Sequence, residues 1–156
     1  MADQPPRRPR TLGDARTEAE AAFKKVIELK PDNADAYTGL ANVYNSQKKF
    51  DLAAEASKKA QELAGAAGAS GASAEATYNQ GVILWNAGKY AEAKDQFEAA
   101  AKADPNMAMA HYQLGMANLN LGKIPEARAA FEAYLKADPN GAKAAEVKVF
   151  IQQLPK

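Results

Sequence analysis

The residue types that could carry chemistry are few in this chain, and they are not grouped. It has no cysteine and one histidine, His111. Catalysis requires a nucleophile beside a base, paired carboxylates or a metal ion. Asp104 and Asp138 each precede Pro-Asn, which is typical of a turn, and no phosphate-binding loop, zinc spacing or dinucleotide motif occurs. The sequence therefore predicts no enzyme activity, no cofactor and no metal site, and we expect His111 to pack inside a helical hairpin.

Composition and charge narrow the choice of partners. The 156 residues include 20 Lys and Arg against 19 Asp and Glu, so the net charge is +1. Such a balance favours neither nucleic acid nor an anionic membrane surface. No apolar run approaches the roughly 20 residues of a membrane helix, and no apolar core follows the basic N-terminus as in a secretory signal. We therefore expect no nucleic acid and no membrane partner, with the cytoplasm as the default location.

Two adjacent segments, Ala74–Met107 and Ala108–Gly141, repeat the same pattern with a period of 34 residues. The recurring pairs are Gly81 and Gly115, Gly88 and Gly122, Ala93 and Ala127, Phe97 and Phe131, and Pro105 and Pro139. A fixed period of this length indicates stacked helical units. The small residues predict a close approach between the first helix of each unit, here called helix A, and the second, helix B.

The flanking segments fit the same period less completely. Residues 34–64 form a further unit, and residues 14–33 correspond to a helix B without its helix A, with Asp14 as the expected N-cap. Residues 65–73 are rich in Gly, Ala and Ser, which predicts a flexible loop that adds six residues to the period. The helix expected at residues 51–64 can also run on into the alanines before Gly68. Residues 142–156 align with another helix A. Residues 1–13 contain Pro5, Pro6 and Pro9 and are expected to be a disordered or extended arm.

This pattern resembles the tetratricopeptide repeat (TPR). The matching residues are Leu40-Ala41, Gln80-Gly81 and Leu114-Gly115; Ala53, Ala93 and Ala127; Phe23, Phe97 and Phe131; and Pro31, Pro105 and Pro139. The resemblance implies an all-α protein, an α-solenoid of about three TPR units with an N-terminal half-repeat helix and a C-terminal capping helix. Ser57, Gln80 and Asn118 depart from the pattern, so we expect the first complete unit to be the loosest. The C-terminal segment also resembles the end of many bacterial multi-repeat proteins.

The resemblance further implies a concave groove lined by the A helices. It assigns to the groove Asn42, Tyr78, Asn79, Val82, Trp85, Met109, Tyr112, Gln113, Met116 and Leu119, followed by Lys143, Glu146, Val147 and Phe150. Six of these residues form an apolar stripe, here called the groove stripe: Tyr78, Val82, Trp85, Tyr112, Met116 and Leu119. Because Ile83, Leu84, Leu114 and Ala117 already supply a core, we expect the groove stripe to be surplus and to bind a mainly apolar peptide or helix. The alternative is that it belongs to the core.

One known ligand class is disfavoured. Some TPR domains bind a C-terminal carboxylate through a clamp of Lys, Arg and Asn. The matching positions here are Thr38, Asn42, Asn79, Met109 and Gln113. Both asparagines agree with the clamp, but all three cationic positions are lost. Without them the charge-assisted hydrogen bonds to a carboxylate are missing, and we expect a different ligand.

A second hypothesis is self-assembly. The half-repeat helix at residues 14–30 and the final helix at residues 142–154 would together complete one unit. A head-to-tail contact of this kind does not close and would propagate along a filament. The final helix carries Val147, Phe150, Ile151 and Leu154 on one face and the apolar residues Ala145 and Val149 on another. The alternative is an ordinary capping helix.

Overall fold

A computed structural model describes residues 11–66 and 70–155 of the chain. In these ranges it has eight helices and no strand. The helices are α1 (Leu12–Leu29), α2 (Ala34–Ser46), α3 (Phe50–Ala66), α4 (Ser70–Asn86), α5 (Tyr90–Ala103), α6 (Ala108–Asn120), α7 (Ile124–Ala137) and α8 (Ala144–Gln153). Each helix packs against the next along the chain. The fold is the predicted all-α solenoid: three hairpins, α2–α3, α4–α5 and α6–α7, between a half-repeat helix and a final helix.

The three hairpins turn in the same way. The chain leaves each A helix through one residue with positive φ, which is Lys48 (59°), Gly88 (78°) or Gly122 (71°). The amide of the following residue then donates a hydrogen bond to the carbonyl oxygen five residues earlier in the chain. In the second hairpin, for example, the Lys89 amide donates to Leu84 O at 2.9 Å. This closure satisfies carbonyls that the end of the helix leaves unpaired. Glycine adopts such a conformation without steric cost, whereas Lys48 does not.

Glycine on helix A allows a phenylalanine on helix B to fill the later hairpins. Phe97 and Phe131 are fully buried. A Cβ atom built on Gly81 would lie 2.6 Å from Phe97 Cε1, and one built on Gly115 would overlap the Phe131 ring. The predicted close approach of helices A and B at these glycines is therefore confirmed.

Helix α1 begins earlier than expected. Thr11, and not Asp14, is the N-cap. The Asp14 amide donates to Thr11 Oγ1 at 3.1 Å while Asp14 Oδ2 accepts from the Thr11 amide at 2.9 Å. This reciprocal capping box satisfies two exposed donors at once, which a cap at Asp14 would not do. Residues 12 and 13 of the predicted arm thus belong to the helix, and residues 1–10 lie outside the described part of the chain.

Helix α1 lies on the surface of the solenoid. None of its residues, all of which the structure describes, is buried. It packs on the first hairpin through Phe23 and Ile27. Glu20 adds a polar link, because it accepts a hydrogen bond from Gln47 at 3.2 Å. A hydrogen bond from Lys24, with a smaller contribution from Gln47, lowers the pKa of Glu20 to about 2.

The predicted loop at residues 65–73 is largely helical. Helix α3 continues through Ala66 and α4 begins at Ser70, and residues 67–69 are not described. Alanine has the highest helix propensity, and an isolated glycine costs only about 1 kcal/mol in a helix. The alanines of this segment therefore let α3 continue to Ala66, as the sequence allowed, whereas α4 begins at Ser70 and not at the expected Ala74.

Helix α8 is a cap whose outer side carries both polar and apolar residues. Its inner side packs on α7 through Val147, which is fully buried, and through Phe150, whose ring lies 5.3 Å from that of Phe131. Its outward residues are exposed: Ala145, Lys148, Val149 and Gln152. The repeat positions of Lys148, Val149 and Gln152 are occupied in α6 by Leu114, Gly115 and Asn118. In α2 they are occupied by Leu40, Ala41 and Tyr44. No helix in the described ranges has the length and apolar character needed to cross a membrane.

Candidate peptide-binding groove

The A helices α2, α4, α6 and α8 form one side of the solenoid, and the B helices form the other. Helix α2 contacts α4 directly as well as its own partner α3. The ten residues predicted for the groove all lie on α2, α4 and α6. Their burial differs, and it separates residues that face the groove from residues that support it.

On α4 the groove stripe is half surface and half core. Tyr78, Val82 and Trp85 are each partly buried, and their inner sides pack on the buried residues Leu84, Ala93 and Phe97. The Tyr78 ring lies 5.8 Å from that of Phe97, and the Trp85 ring meets Tyr90 edge-on at 4.8 Å. The stripe is therefore the outer layer of the core and not surplus to it. Ile83, Leu84 and Ala117 are buried as expected, whereas Leu114 is only partly buried.

The Tyr78 hydroxyl lies near the side chain of Gln113 on α6, the next A helix. Burial of the ring raises the pKa of Tyr78. The tyrosine is therefore neutral at physiological pH, and its hydroxyl can both donate and accept hydrogen bonds. Asn79 and Gln113, both partly exposed, lie in the same part of the groove.

On α6 the stripe contains one buried and two partly buried residues. Met109, next to the stripe, is 40% exposed, and Met116 and Leu119 are partly buried. Tyr112 is only 7% exposed. Its ring lies 6.3 Å from that of Phe131 and 6.1 Å from that of Tyr134. Tyr112 is thus a core residue whose contribution to the groove is limited to its hydroxyl.

A charged network closes the C-terminal end of the groove. The Tyr112 hydroxyl donates to Glu146 Oε1 at 2.8 Å, and Lys143 Nζ lies 2.8 Å from Glu146 Oε2. The Lys143 ammonium also lies 5.2 Å from the centre of the Tyr112 ring. The hydrogen bond from Lys143, followed by that from Tyr112, lowers the pKa of Glu146. The resemblance placed Lys143 and Glu146 in the groove; their shared contact with Tyr112 came from the tertiary structure. Val147, assigned to the groove with them, is buried beneath it.

The other end of the groove is polar. Asn42 is exposed, and Asn86 donates to Asn45 Oδ1 at 3.1 Å, which links α4 to α2. Asp35 and Glu75 stand on either side of a small cleft of about 110 Å³. The groove therefore runs from an acidic, amide-lined end at α2 to an apolar surface at α4 and α6.

His111 does not pack inside the hairpin as expected. It is partly exposed, and its Nε2 lies 3.0 Å from the carbonyl oxygen of Pro105. It lines a cleft of about 400 Å³ between the B helices α5 and α7, on the side opposite the groove. One cation that lines this cleft, Lys94, is paired with Asp95 and Glu98. No cluster suited to a metal ion occurs among the described residues.

Two family models, both described as tetratricopeptide repeat, match the chain. One covers residues 32–106 and the other residues 78–142, so together they span residues 32–142. The matched region contains all three hairpins and the ten predicted groove residues. The chain therefore belongs to the tetratricopeptide repeat family.

Solved structures agree with this assignment. PilF of Pseudomonas aeruginosa is 24% identical with a TM-score of 0.74, over 88% of this chain and 59% of that one. MamA is 22% identical with a TM-score of 0.70, over 92% of both chains. YrrB, described as a TPR protein with an unusual peptide-binding site, is 24% identical with a TM-score of 0.64, over 90% of this chain and 71% of its own. At these identities the likeness establishes the fold. No curated protein matches the chain in sequence.

Proposed function

We propose that this protein is a non-enzymatic interaction scaffold whose groove binds a mainly apolar peptide or helix of a partner protein. The family and fold support a protein-binding role. The feature that favours an apolar ligand is the groove stripe on α4 and α6. Its partly buried members have inner sides held by the core and outer sides that remain open.

The packing of the stripe suits it to binding. Trp85 packs against Tyr90, and Tyr78 packs against Phe97. Side chains that are already ordered lose little conformational entropy when a ligand covers them. Met109 and Met116 are flexible and adapt to ligands of different shape. The aromatic residues of α4 and the methionines of α6 together form one apolar surface. Its α4 end is rigid, and its α6 end is adaptable.

The amides give the groove a way to hold a peptide backbone. Asn42 and Asn79 are at least partly exposed on successive A helices, and Gln113 follows on the third. An amide side chain can donate and accept hydrogen bonds at once, as a peptide group requires. Asp35 and Glu75 at the α2 end favour a ligand with a basic residue at that end. This set of groups does not select for a free C-terminal carboxylate.

Selection from a displayed library of random peptides would test the groove. We expect the selected peptides to be rich in large apolar residues and to change the fluorescence of Trp85, the one tryptophan of the chain. Met109→Glu and Trp85→Ala should each weaken the selected peptides at least tenfold, which corresponds to about 1.4 kcal/mol. Fluorescence anisotropy of labelled peptides measures the loss for both variants.

Leu52→Glu is the matched control. Leu52 is 43% exposed on α3 and Met109 is 40% exposed on α6, so the two changes alter similar apolar surfaces on opposite sides of the solenoid. Leu52→Glu should leave binding unchanged, as should amidation of the peptide C-terminus. Equal binding to the Met109→Glu variant and the unchanged protein would refute the groove, and loss on amidation would point to a carboxylate ligand.

The alternative function, a structural subunit that stacks head-to-tail through residues 14–30 and 142–154, has weaker support. Helix α8 would have to serve as the helix A of α1 in the next molecule. Its outer side presents Lys148 and Gln152 where Leu40 and Tyr44 stand in the first hairpin. It also presents Val149 at the position of Gly81 and Gly115, where helix B needs a small residue. These residues favour a solvated cap.

A further inference from the structure

Asn118 is a buried polar side chain at a position that large, mainly apolar side chains fill in the other hairpins. It is 4% exposed, and the same repeat position holds Tyr44 and Leu84, each 7% exposed. The Asn118 carboxamide makes no hydrogen bond with any residue that the structure describes. A buried amide without a partner costs free energy, and most such groups in native proteins have one. Asn118 therefore lacks a partner that the described chain could supply.

The space beside Asn118 is open because α7 presents small residues to it, namely Ala129, Ala130 and Ala133. One repeat earlier, the position of Ala130 is occupied by Gln96. Gln96 Oε1 accepts a hydrogen bond from Gln61 at 3.4 Å, which links α3 to α5. Alanine cannot make such a link, and a cleft of about 400 Å³ remains between α5 and α7. Binding sites for small molecules begin at about 300 Å³.

The cleft has an apolar middle and a polar group from α6 at each end. His111 and Asn118 both line it, and seven residues of helix place them about 10 Å apart along α6. Leu114 and Ala130 lie between them. The Nε2 atom of His111 lies 3.0 Å from the carbonyl oxygen of Pro105, so His111 has a partner, whereas Asn118 does not.

The charges at the rim of the cleft are balanced. Two lysines and two glutamates line it: Lys94, Lys123, Glu98 and Glu126. Lys94 Nζ lies 3.4 Å from Glu98 Oε2. A charged ligand would lose its hydration here without a net charge of opposite sign to replace it. The balance favours a ligand without charge.

We propose that this cleft binds an uncharged small molecule with a planar apolar body that carries, on one edge, a hydrogen-bond donor next to an acceptor. A primary carboxamide and a lactam are the simplest groups of this kind. The Asn118 carboxamide has the same two functions, so it donates to the ligand's carbonyl oxygen and accepts from its N–H. Leu114 and Ala130 contact the apolar body. The site lies between B helices, opposite the groove, and does not depend on the proposed peptide ligand.

Titration with benzamide, followed by proton NMR, tests the site. The chain has one histidine and one tryptophan, His111 at the cleft and Trp85 in the groove. Benzamide should shift the ring-proton signals of His111 and leave the indole N–H signal of Trp85 unchanged. For so small a ligand we expect a Kd of about 1–10 mM.

Two related probes test the hydrogen-bonding edge. Acetophenone has the size of benzamide and a carbonyl acceptor but no N–H donor, and benzoate carries a charge. Each should bind roughly tenfold more weakly than benzamide, or weaker still. Acetophenone leaves the oxygen of Asn118 unpaired, and the balanced rim does not compensate benzoate for its lost hydration.

Three variants locate the bound probe. Asn118→Leu introduces the residue type of Leu84; it should abolish the response to benzamide and raise the midpoint of thermal unfolding, because a buried polar group without a partner is removed. Ala130→Gln introduces the residue type of Gln96 and should block the cleft while Asn118 stays intact. Met109→Glu, on the groove side, should bind benzamide like the unchanged chain.

Several results would overturn the proposal. The His111 signals would stay in place at the highest soluble concentration of benzamide if water alone satisfied Asn118. Equal binding of benzamide and acetophenone, or full binding by Asn118→Leu, would show that Asn118 does not contact the ligand. A lower unfolding midpoint in Asn118→Leu would give Asn118 a structural role instead. A response of Trp85 in place of His111 would put the probe in the groove.

Discussion

The hairpins α2–α3 and α6–α7 have the same turn and the same helix arrangement, but different residues fill them. In α6–α7, Gly115 leaves room for the fully buried ring of Phe131. In α2–α3 the corresponding residues are Ala41 and Ser57, which are both buried and both small. The later hairpin thus has an aromatic residue at its own centre, whereas the first does not.

The first hairpin obtains its apolar contacts from its neighbours. Phe23 of α1 covers Gly39, and Ile83 of α4 joins the cluster around Leu40 and Tyr44. The comparison shows that one backbone unit can be stabilised from within or from the adjacent units. In a solenoid, where each unit contacts only the next, the second arrangement makes the first hairpin depend on α1 and α4.

The largest expected effect comes from removing the aromatic residue. Phe131→Ala should lower the free energy of unfolding by about 3–5 kcal/mol, because a large buried ring leaves a cavity that the helices cannot fill. Ser57→Ala, at the same position in the first hairpin, should change it by less than about 1 kcal/mol, since it loses one long hydrogen bond to Ala76. Urea denaturation measures both. Similar losses would contradict the stated difference in packing.

An intermediate effect is expected from filling the space that the ring occupies. Gly115→Ala should destabilise the protein by about 1–3 kcal/mol, because the new Cβ meets a buried ring that has no room to move. Gly65→Ala is the control, since it is helical with nothing within 4 Å of the new Cβ. It should stabilise α3 by about 0.5–1 kcal/mol. Thermal denaturation should show shifts of opposite sign, and a neutral Gly115→Ala would mean that the hairpin tolerates a wider spacing.

The smallest effect concerns the turns. Lys48 has a φ of 59°, which glycine adopts in the other two turns. Lys48→Gly should therefore stabilise the first hairpin by about 1 kcal/mol, and Gly88→Lys should destabilise the second by a similar amount. Chemical denaturation of the two variants gives both values. A loss of stability in Lys48→Gly would show that the lysine contributes more than its backbone conformation costs.

Much of the fold was predictable because periodicity is a local property. The recurrence of Gly81, Phe97 and Pro105 after 34 residues specified the hairpins, and α5 and α7 each lie in the second half of a predicted repeat. The errors fell where the period is interrupted. The N-cap at Thr11 depends on a reciprocal hydrogen bond, and the helical ends of α3 and α4 depend on alanines within a Gly-rich segment.

The candidate groove was predictable only as a list of positions. Helical spacing placed Tyr78, Trp85, Tyr112 and Met116 on the A helices, and that placement stands. Spacing alone did not separate Tyr112, which the rings of Phe131 and Tyr134 bury, from Met109, which is 40% exposed. Burial depends on neighbouring helices as well as on the helix that carries the residue. The peptide ligand of this groove remains a proposal.

The sequence by itself determined the repeat, the helix types and the small residues that let helices A and B approach, because each follows from side-chain volume and from spacing along one helix. The tertiary structure decided which surfaces of the helices stay exposed and which side chains meet. It placed Lys143, Glu146 and Tyr112 in one network and left polar and apolar residues exposed together on the outer side of α8. Those outcomes depend on how many neighbours each helix has, which no single helix encodes.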